Sequence, residues 1–257
     1  MKRAACGLAG LLLLASCQTQ GPSERSLPLS DPRISTGLSS LSHNAALRQS
    51  MRAQARMSLD APDLRFRRPQ RLVVARPNRL RVEVLGLFGQ VAAVLVTKGG
   101  RYQFFDPGRG LVEDGDAGAE LLWRLARVDM TPEEAAGVLL GSPEPLSGLA
   151  PVGASVFDDG GFAVLLAAAP PSHAQQRFEF DGRGRIRSAK SFGPDGVAIW
   201  AARFEDYRQL GEQWFAFRVA LSFPRVNAEV QIDFKKVELN PELPSDVFVL
   251  SVPGAVQ

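Results

Sequence analysis

The sequence predicts a mainly β, α+β domain: a single curved antiparallel sheet capped by short helices. Three observations lead there. From Met51 onward, stretches of alternating apolar and polar residues follow one another, closed by short turns rich in Gly, Pro and Asp. Two amphipathic patterns, Ala119–Val128 and Pro132–Leu140, interrupt that run once. Finally, Val91–Val96, Tyr102–Phe105 and Phe162–Ala169 are apolar on both faces, whereas antiparallel sheets normally bury one. A sheet strongly curved over its capping helices is one arrangement that covers the surplus.

The N-terminal segment reads as separate from the fold. Lys2 and Arg3 precede an apolar run, Ala4–Leu14, and Leu14-Ala15-Ser16-Cys17 closes it. That is the pattern of a secretory signal peptide, too short for a transmembrane helix. A cysteine directly after small residues resembles the lipobox of bacterial lipoproteins. The resemblance implies cleavage before Cys17, acylation of Cys17 and, with Gln18 following, export to the outer membrane. Stable anchoring needs more than one acyl chain, and a triacylated cysteine meets that need. The expected division is a signal peptide over 1–16, a lipidated cysteine and flexible tether over 17–33, and a β domain over 34–257. The tether is polar and carries Gly21, Pro22, Pro28 and Pro32.

Within the domain, Leu38, Leu41 and Ala45 at helical spacing predict a short helix over Thr36–Arg48. Met51, Ala53, Ala55, Met57 and Leu59 alternate with polar residues and predict the first long strand. Leu64–Ala75 is the second, with an interruption or bulge expected at Pro69. Arg79–Leu85 and Val91–Val96 then make a hairpin whose tip is unusual. Gly86-Leu87-Phe88-Gly89 places two large apolar side chains where hairpins normally carry polar ones. Either they fold back onto the domain or they point outward for a purpose. Gly99-Gly100 turns into Arg101–Phe105, and Thr131-Pro132-Glu133-Glu134 is a capping box that starts the second amphipathic helix. From Val152 onward the reading is β, with turns at Gly182-Arg183-Gly184, Asp195-Gly196 and Leu210-Gly211-Glu212. A parity switch at Lys235-Lys236 predicts a β-bulge. Val247–Leu250 is a last apolar piece.

Signals of catalysis are few. The two cysteines are Cys6 and Cys17, so the expected mature domain has no disulfide and no thiolate chemistry. The two histidines, His43 and His173, sit in polar surroundings without the ligand spacing of a zinc site. Asp114, Asp116, Asp158, Asp159, Asp181 and Asp195 lie close to glycines and read as turn formers. No phosphate-cradling glycine motif opens a helix. The net charge of +3 is spread along strands, which fits an anionic membrane surface better than nucleic acid. The expectation is a protein that is no enzyme, with no metal and no cofactor. A composition of 45% apolar residues supplies a core without disulfides.

The order of parts resembles the lipoprotein-localisation proteins LolA and LolB, and LolB more closely. Four features carry the resemblance: the lipobox at Cys17, the apolar tip Leu87-Phe88-Gly89, the turn Gly99-Gly100-Arg101-Tyr102, and the helix ending Val138-Leu139-Leu140-Gly141 before Pro143. The resemblance implies a half-open β-barrel lidded by helices that holds the acyl chains of lipoproteins. It implies a lipid-anchored place on the periplasmic face of the outer membrane, outer membrane lipids and acylated lipoproteins as partners, and a LolA-like periplasmic carrier as donor. Gly86, Leu87, Phe88 and Gly89 correspond to a membrane-insertion loop. The lining expected for an acyl cavity is Val82, Val84, Tyr102, Phe104, Leu122, Trp123, Phe178 and Phe180, although parity alone leaves open which face is inner. The alternative role on this fold is a non-enzymatic lipid or lipoprotein sensor, or an envelope interaction lipoprotein.

Overall fold

The structure is a computed structural model and describes residues 24–250. The expected signal peptide and the lipobox with Cys17 lie outside the described residues. The described chain opens with a short strand, β1 (Glu24–Ser26), inside the stretch read as tether. It pairs with Ser155–Phe157, and Glu24 bonds Arg177 at 2.8 Å, so the folded part begins before residue 34. A polar composition gave no sign of these long-range partners.

Helix α1 (Pro32–Leu47) is longer at its start than the apolar spacing indicated, because Asp31 caps it and Pro32 suits its first turn. Strands β2 (Ser50–Ala61) and β3 (Leu64–Ala75) pair without a register shift, so the bulge expected at Pro69 is absent. Pro69 is tolerated because β3 gains its second neighbour only from Gln70 onward, and the proline occupies an edge position. The hairpin β4 (Arg79–Leu85) and β5 (Val91–Lys98) follows. Next come β6 (Arg101–Asp106) and β7 (Leu111–Asp116). Asp114 and Asp116 are therefore strand residues and not turn formers; both bond Arg101 across the strand pair at 2.9 Å.

Helices α2 (Leu121–Ala126) and α3 (Pro132–Leu139) occupy the two expected positions. The first is shorter than its apolar pattern because Arg127 turns left-handed, at φ 56°, and ends it. The second has its full capping box, with Thr131 and Glu134 bonding each other's backbone N–H. Seven further strands complete the chain: β8 (Leu149–Phe157), β9 (Phe162–Ala168), β10 (Gln175–Phe180), β11 (Ile186–Phe192), β12 (Ala198–Leu210), β13 (Gln213–Phe223) and β14 (Ala228–Leu239).

All strands belong to one antiparallel sheet ordered β1-β8-β9-β10-β11-β12-β13-β14-β2-β3-β4-β5-β6-β7. The sheet is curved but unclosed, with β1 and β7 as its two edges. The β14–β2 pairing joins the late strands to the early ones, and the expected bulge lies between Phe234 and Lys236. The main core fills the concave face: Met51, Leu72, Val74, Leu140, Phe178, Phe215 and Phe234 are all fully buried there. A second, smaller core explains why β5 is apolar on both faces. Val73, Ala75, Val94 and Val96 point to the opposite side, where Phe248 covers them with Leu243 and Val247 packed around it. Arg81 donates to the carbonyls of Val247 and Val249 at 3.2 and 3.3 Å and holds that segment in place.

Candidate functional site

The helices leave part of the concave face unfilled. Between α2, α3 and the sheet lies a cavity of about 380 Å³. Strand parity supplies its wall. On β3 the inward positions are Leu64, Phe66, Arg68 and Gln70; on β4 they are Leu80, Val82 and Val84; on β5 they are Ala93 and Leu95; and β6 gives Phe104. Leu221, Val230, Ile232 and Met57 form another side. The helices contribute Leu122, Leu125 and Ala126 from α2, and Ala135, Val138 and Leu139 from α3. Apart from Arg68 and Gln70 these side chains are apolar, the usual character of a site for an apolar ligand.

Four of the expected lining residues are there: Val82, Val84, Phe104 and Leu122. The other four are not. Tyr102 shares the parity of Phe104, but its ring lies over Gly115 and its hydroxyl accepts a hydrogen bond from Arg124, which closes it off. Trp123 follows Leu122 in α2, so about 100° of helical rotation turns it away from the cavity. It sits partly exposed, with the Arg127 guanidinium 5.2 Å from its ring centre. Phe178 and Phe180 are fully buried on β10, and Phe180 lies under α1 and not under α2. Phe180 stacks on Phe162 at 4.7 Å, and both rings press against Gly37 of α1, where a larger residue would collide. Sequence reasoning missed Gln70, Ala93, Val138 and the β13–β14 wall, although strand alternation carries the orientation of Gln70 and of the β13–β14 residues.

Helix α2 is held at the cavity rim by side chains. Arg124 bonds Glu113 of β7 at 2.9 Å, and Arg127 bonds Asp63 of the β2–β3 turn at 2.6 Å. The hydrogen bond from Arg127 keeps the Asp63 carboxyl below its ordinary range. Such exposed pairs contribute little stability, because solvent screens them. Helix α3 is fixed more firmly, because Glu134 accepts a bond from the Trp200 indole N–H at 3.0 Å.

The hairpin tip answers the choice that the sequence left open. Leu87 and Phe88 are 81% and 94% exposed and do not fold back. The Gly86 N–H donates to the Gln90 carbonyl at 2.8 Å, the Gly89 N–H returns to the Gly86 carbonyl at 3.1 Å, and Gly89 has φ 80°. A side chain at Gly89 would be strained, so the glycine makes the tight turn that pushes both apolar side chains outward. His43 and His173 are exposed, and no cluster of three or more potential metal ligands occurs among the described residues.

No family model matches this sequence, and no curated protein matches it. Solved structures do match in fold. A LolA superfamily protein from Nitrosomonas europaea aligns at 13% identity with a TM-score of 0.57, over 83% of this chain and 97% of that one. A candidate outer membrane lipoprotein-sorting protein domain from Vibrio parahaemolyticus aligns at 11% identity with a TM-score of 0.59, over 84% and 97%. The architecture is thus a half-open antiparallel barrel wrapped around helices. It is the LolA-like fold that the sequence pattern resembled.

Proposed function

We propose that this protein binds the acyl chains of lipoproteins in the cavity and delivers them to the outer membrane. It acts from the periplasmic face of that membrane, anchored by acyl chains on Cys17. Its role is binding and transfer, not catalysis. Its partners are outer membrane lipids, acylated lipoproteins and a LolA-like periplasmic carrier that hands them over.

The observation that carries this reading is that one hairpin joins the two parts. Val82 and Val84 of β4 wall the cavity, and the same strand runs directly into Leu87 and Phe88, 81% and 94% exposed at its tip. Burying each of these side chains in lipid is worth about 1.5–3 kcal/mol, enough to hold the cavity next to a bilayer already reached through the anchor. The lipoprotein-sorting description of a protein with the same fold supports the assignment. The test uses the full chain with Cys17→Ala, so that no detergent competes. A fluorescent fatty-acyl probe should bind saturably and be displaced by an N-acylated peptide. Absence of binding would overturn the reading.

A further inference from the structure

The hairpin tip is flanked by cations that have no partner. β3 pairs with β4 only from Gln70 onward, so in this antiparallel pair Pro69, Arg68 and Arg67 run on toward the tip end of the hairpin. Alternation sends the two arginines to opposite faces. Arg68 stands opposite Met57 at the cavity mouth, and Arg67 stands opposite Ser58 on the outer face. On the other flank β5 pairs with β6, and the β6–β7 turn at the same end of the sheet carries Arg109. All three residues are exposed, and none of their guanidinium groups makes a hydrogen bond or ion pair among the described residues. Arginines elsewhere on the sheet answer carboxylates: Arg71 bonds Glu83, Arg101 bonds Asp114 and Asp116, and Arg218 bonds Asp233, all at 2.9–3.1 Å.

The carboxylates at this end of the sheet are engaged elsewhere. Asp60 is taken by Arg65 and Asp63 by Arg127, each at 2.6 Å, and Asp106 accepts the backbone N–H of Arg109 within its own turn. Three free positive charges therefore flank two exposed apolar side chains. A neutral bilayer calls only for the apolar pair; the arginines call for negative charge beside it. With Leu87 and Phe88 sunk about 5–10 Å into the boundary of headgroups and acyl chains, arginines just behind the tip stand at the level of the lipid phosphates. The planar guanidinium fork matches the oxygens of a phosphate, and an anionic lipid adds the net negative charge that a zwitterionic one lacks. We propose that Arg67, Arg68 and Arg109 bind the headgroups of anionic phospholipids, so that the tip docks on negatively charged membrane in preference to neutral membrane. This rests on the membrane-insertion part of the reading above and names the class of lipid it selects.

The test measures co-sedimentation of the full chain carrying Cys17→Ala with two kinds of vesicle, phosphatidylcholine alone and phosphatidylcholine mixed with phosphatidylglycerol. The otherwise wild-type chain should bind the phosphatidylglycerol vesicles more tightly by about tenfold or more, at roughly fivefold for each arginine at the surface. Added salt should shrink that preference by screening. Arg67→Gln with Arg109→Gln should remove most of the preference and leave binding to phosphatidylcholine vesicles little changed. Acyl-probe affinity should stay as it was, since neither residue lines the cavity. The control, Lys98→Gln with Arg183→Gln, removes the same charge from exposed residues at the opposite end of the sheet. Lys98 closes β5, a strand length of about 25 Å from the tip, well beyond the reach of an exposed charge in salt. The control pair should therefore keep the full preference. Equal binding of the otherwise wild-type chain to both vesicles overturns the proposal and leaves an acidic protein surface as the occupant of these arginines. An equal loss in the control pair overturns it as well, because net charge alone then explains the preference. Either result leaves the insertion and acyl-binding readings standing. Binding to neither kind of vesicle overturns the membrane-insertion reading together with the proposal. If the variants do not fold, the salt-dependent preference of the otherwise wild-type chain decides alone.

Discussion

Arg48 donates to the carbonyl oxygen of Gly141 at 2.8 Å, tying the end of α1 to the end of α3. The same guanidinium reaches the Trp214 carbonyl at 2.8 Å and Gln213 Oε1 at 3.0 Å, and the residue is only 3% exposed. Burial pushes its pKa down, yet arginine stays charged in proteins. Its hydrogen bonds go to neutral oxygens, so it serves as a bracket for the helix that roofs the cavity. Arg48→Ala should cost roughly 2–5 kcal/mol in urea denaturation, because several buried acceptors lose their donor at once. Arg48→Lys should recover only part of that, since an ammonium cannot span the same oxygens. A loss below about 0.5 kcal/mol, the size of an ordinary surface substitution, would remove Arg48 from this role.

Filling the cavity should abolish binding without unfolding the protein. Ala93 lines the wall and is half-buried, so Ala93→Phe places a ring in open space. Affinity for a fluorescent acyl probe should drop by about tenfold or more, equivalent to about 1.4 kcal/mol. Thermal stability should change little, because the ring displaces no packed neighbour. Unchanged acyl affinity would locate the binding elsewhere.

The anchor is tested by mass spectrometry. The mature N-terminus should be Cys17 bearing acyl chains, and Cys17→Ala should move the protein from the membrane fraction to the soluble periplasm. A Cys17→Ala chain that stays fully membrane-bound would contradict the lipobox assignment.

Acid should destabilise the domain, and the sign follows from the carboxylates. The Arg33 guanidinium holds the Asp31 carboxyl at about 2, below its ordinary 3.8. Burial raises Asp181, but hydrogen bonds from Arg185 and from backbone N–H groups outweigh it and leave the group lowered. Asp63 and Asp206 are lowered by hydrogen bonds from Arg127 and Arg208, and Asp159 by the Gly161 N–H and then Arg187. A lowered carboxylate stabilises the fold above its unfolded pKa and loses that contribution as pH falls through the folded value. The melting temperature should therefore hold between about pH 7 and 5 and fall most steeply between about pH 4 and 2. A melting temperature that rises on acidification would contradict these pairings.

Much of the fold was legible because its signals are local. Alternation marked β2, β13 and β14, the parity switch at Lys235-Lys236 marked the bulge, and Thr131 with Glu134 marked the start of α3. Strand β1 and the covering role of Phe248 depend on distant partners and left no local trace. The site was legible by half. Alternation gives the side of the sheet, which found Val82, Val84, Phe104 and Leu122, but not which helix lies above each stretch. Phe178 and Phe180 were misplaced for that reason: both are fully buried away from the cavity, Phe180 against Gly37 of α1, while α2 and α3 leave room over β3 to β6. Gln70 was readable as an inward polar residue in β3.

The most direct test of the central claim is the double variant Leu87→Glu with Phe88→Glu. Both side chains are exposed, so the melting temperature should stay within the small range of surface substitutions, about 0.5 kcal/mol. Acyl-probe binding should also persist, because neither residue lines the cavity. Charge in the bilayer boundary is unfavourable, so liposome binding of the unlipidated chain and transfer of an N-acylated peptide from the protein to liposomes should both collapse. Wild-type rates of transfer with two glutamates at the tip would contradict the account.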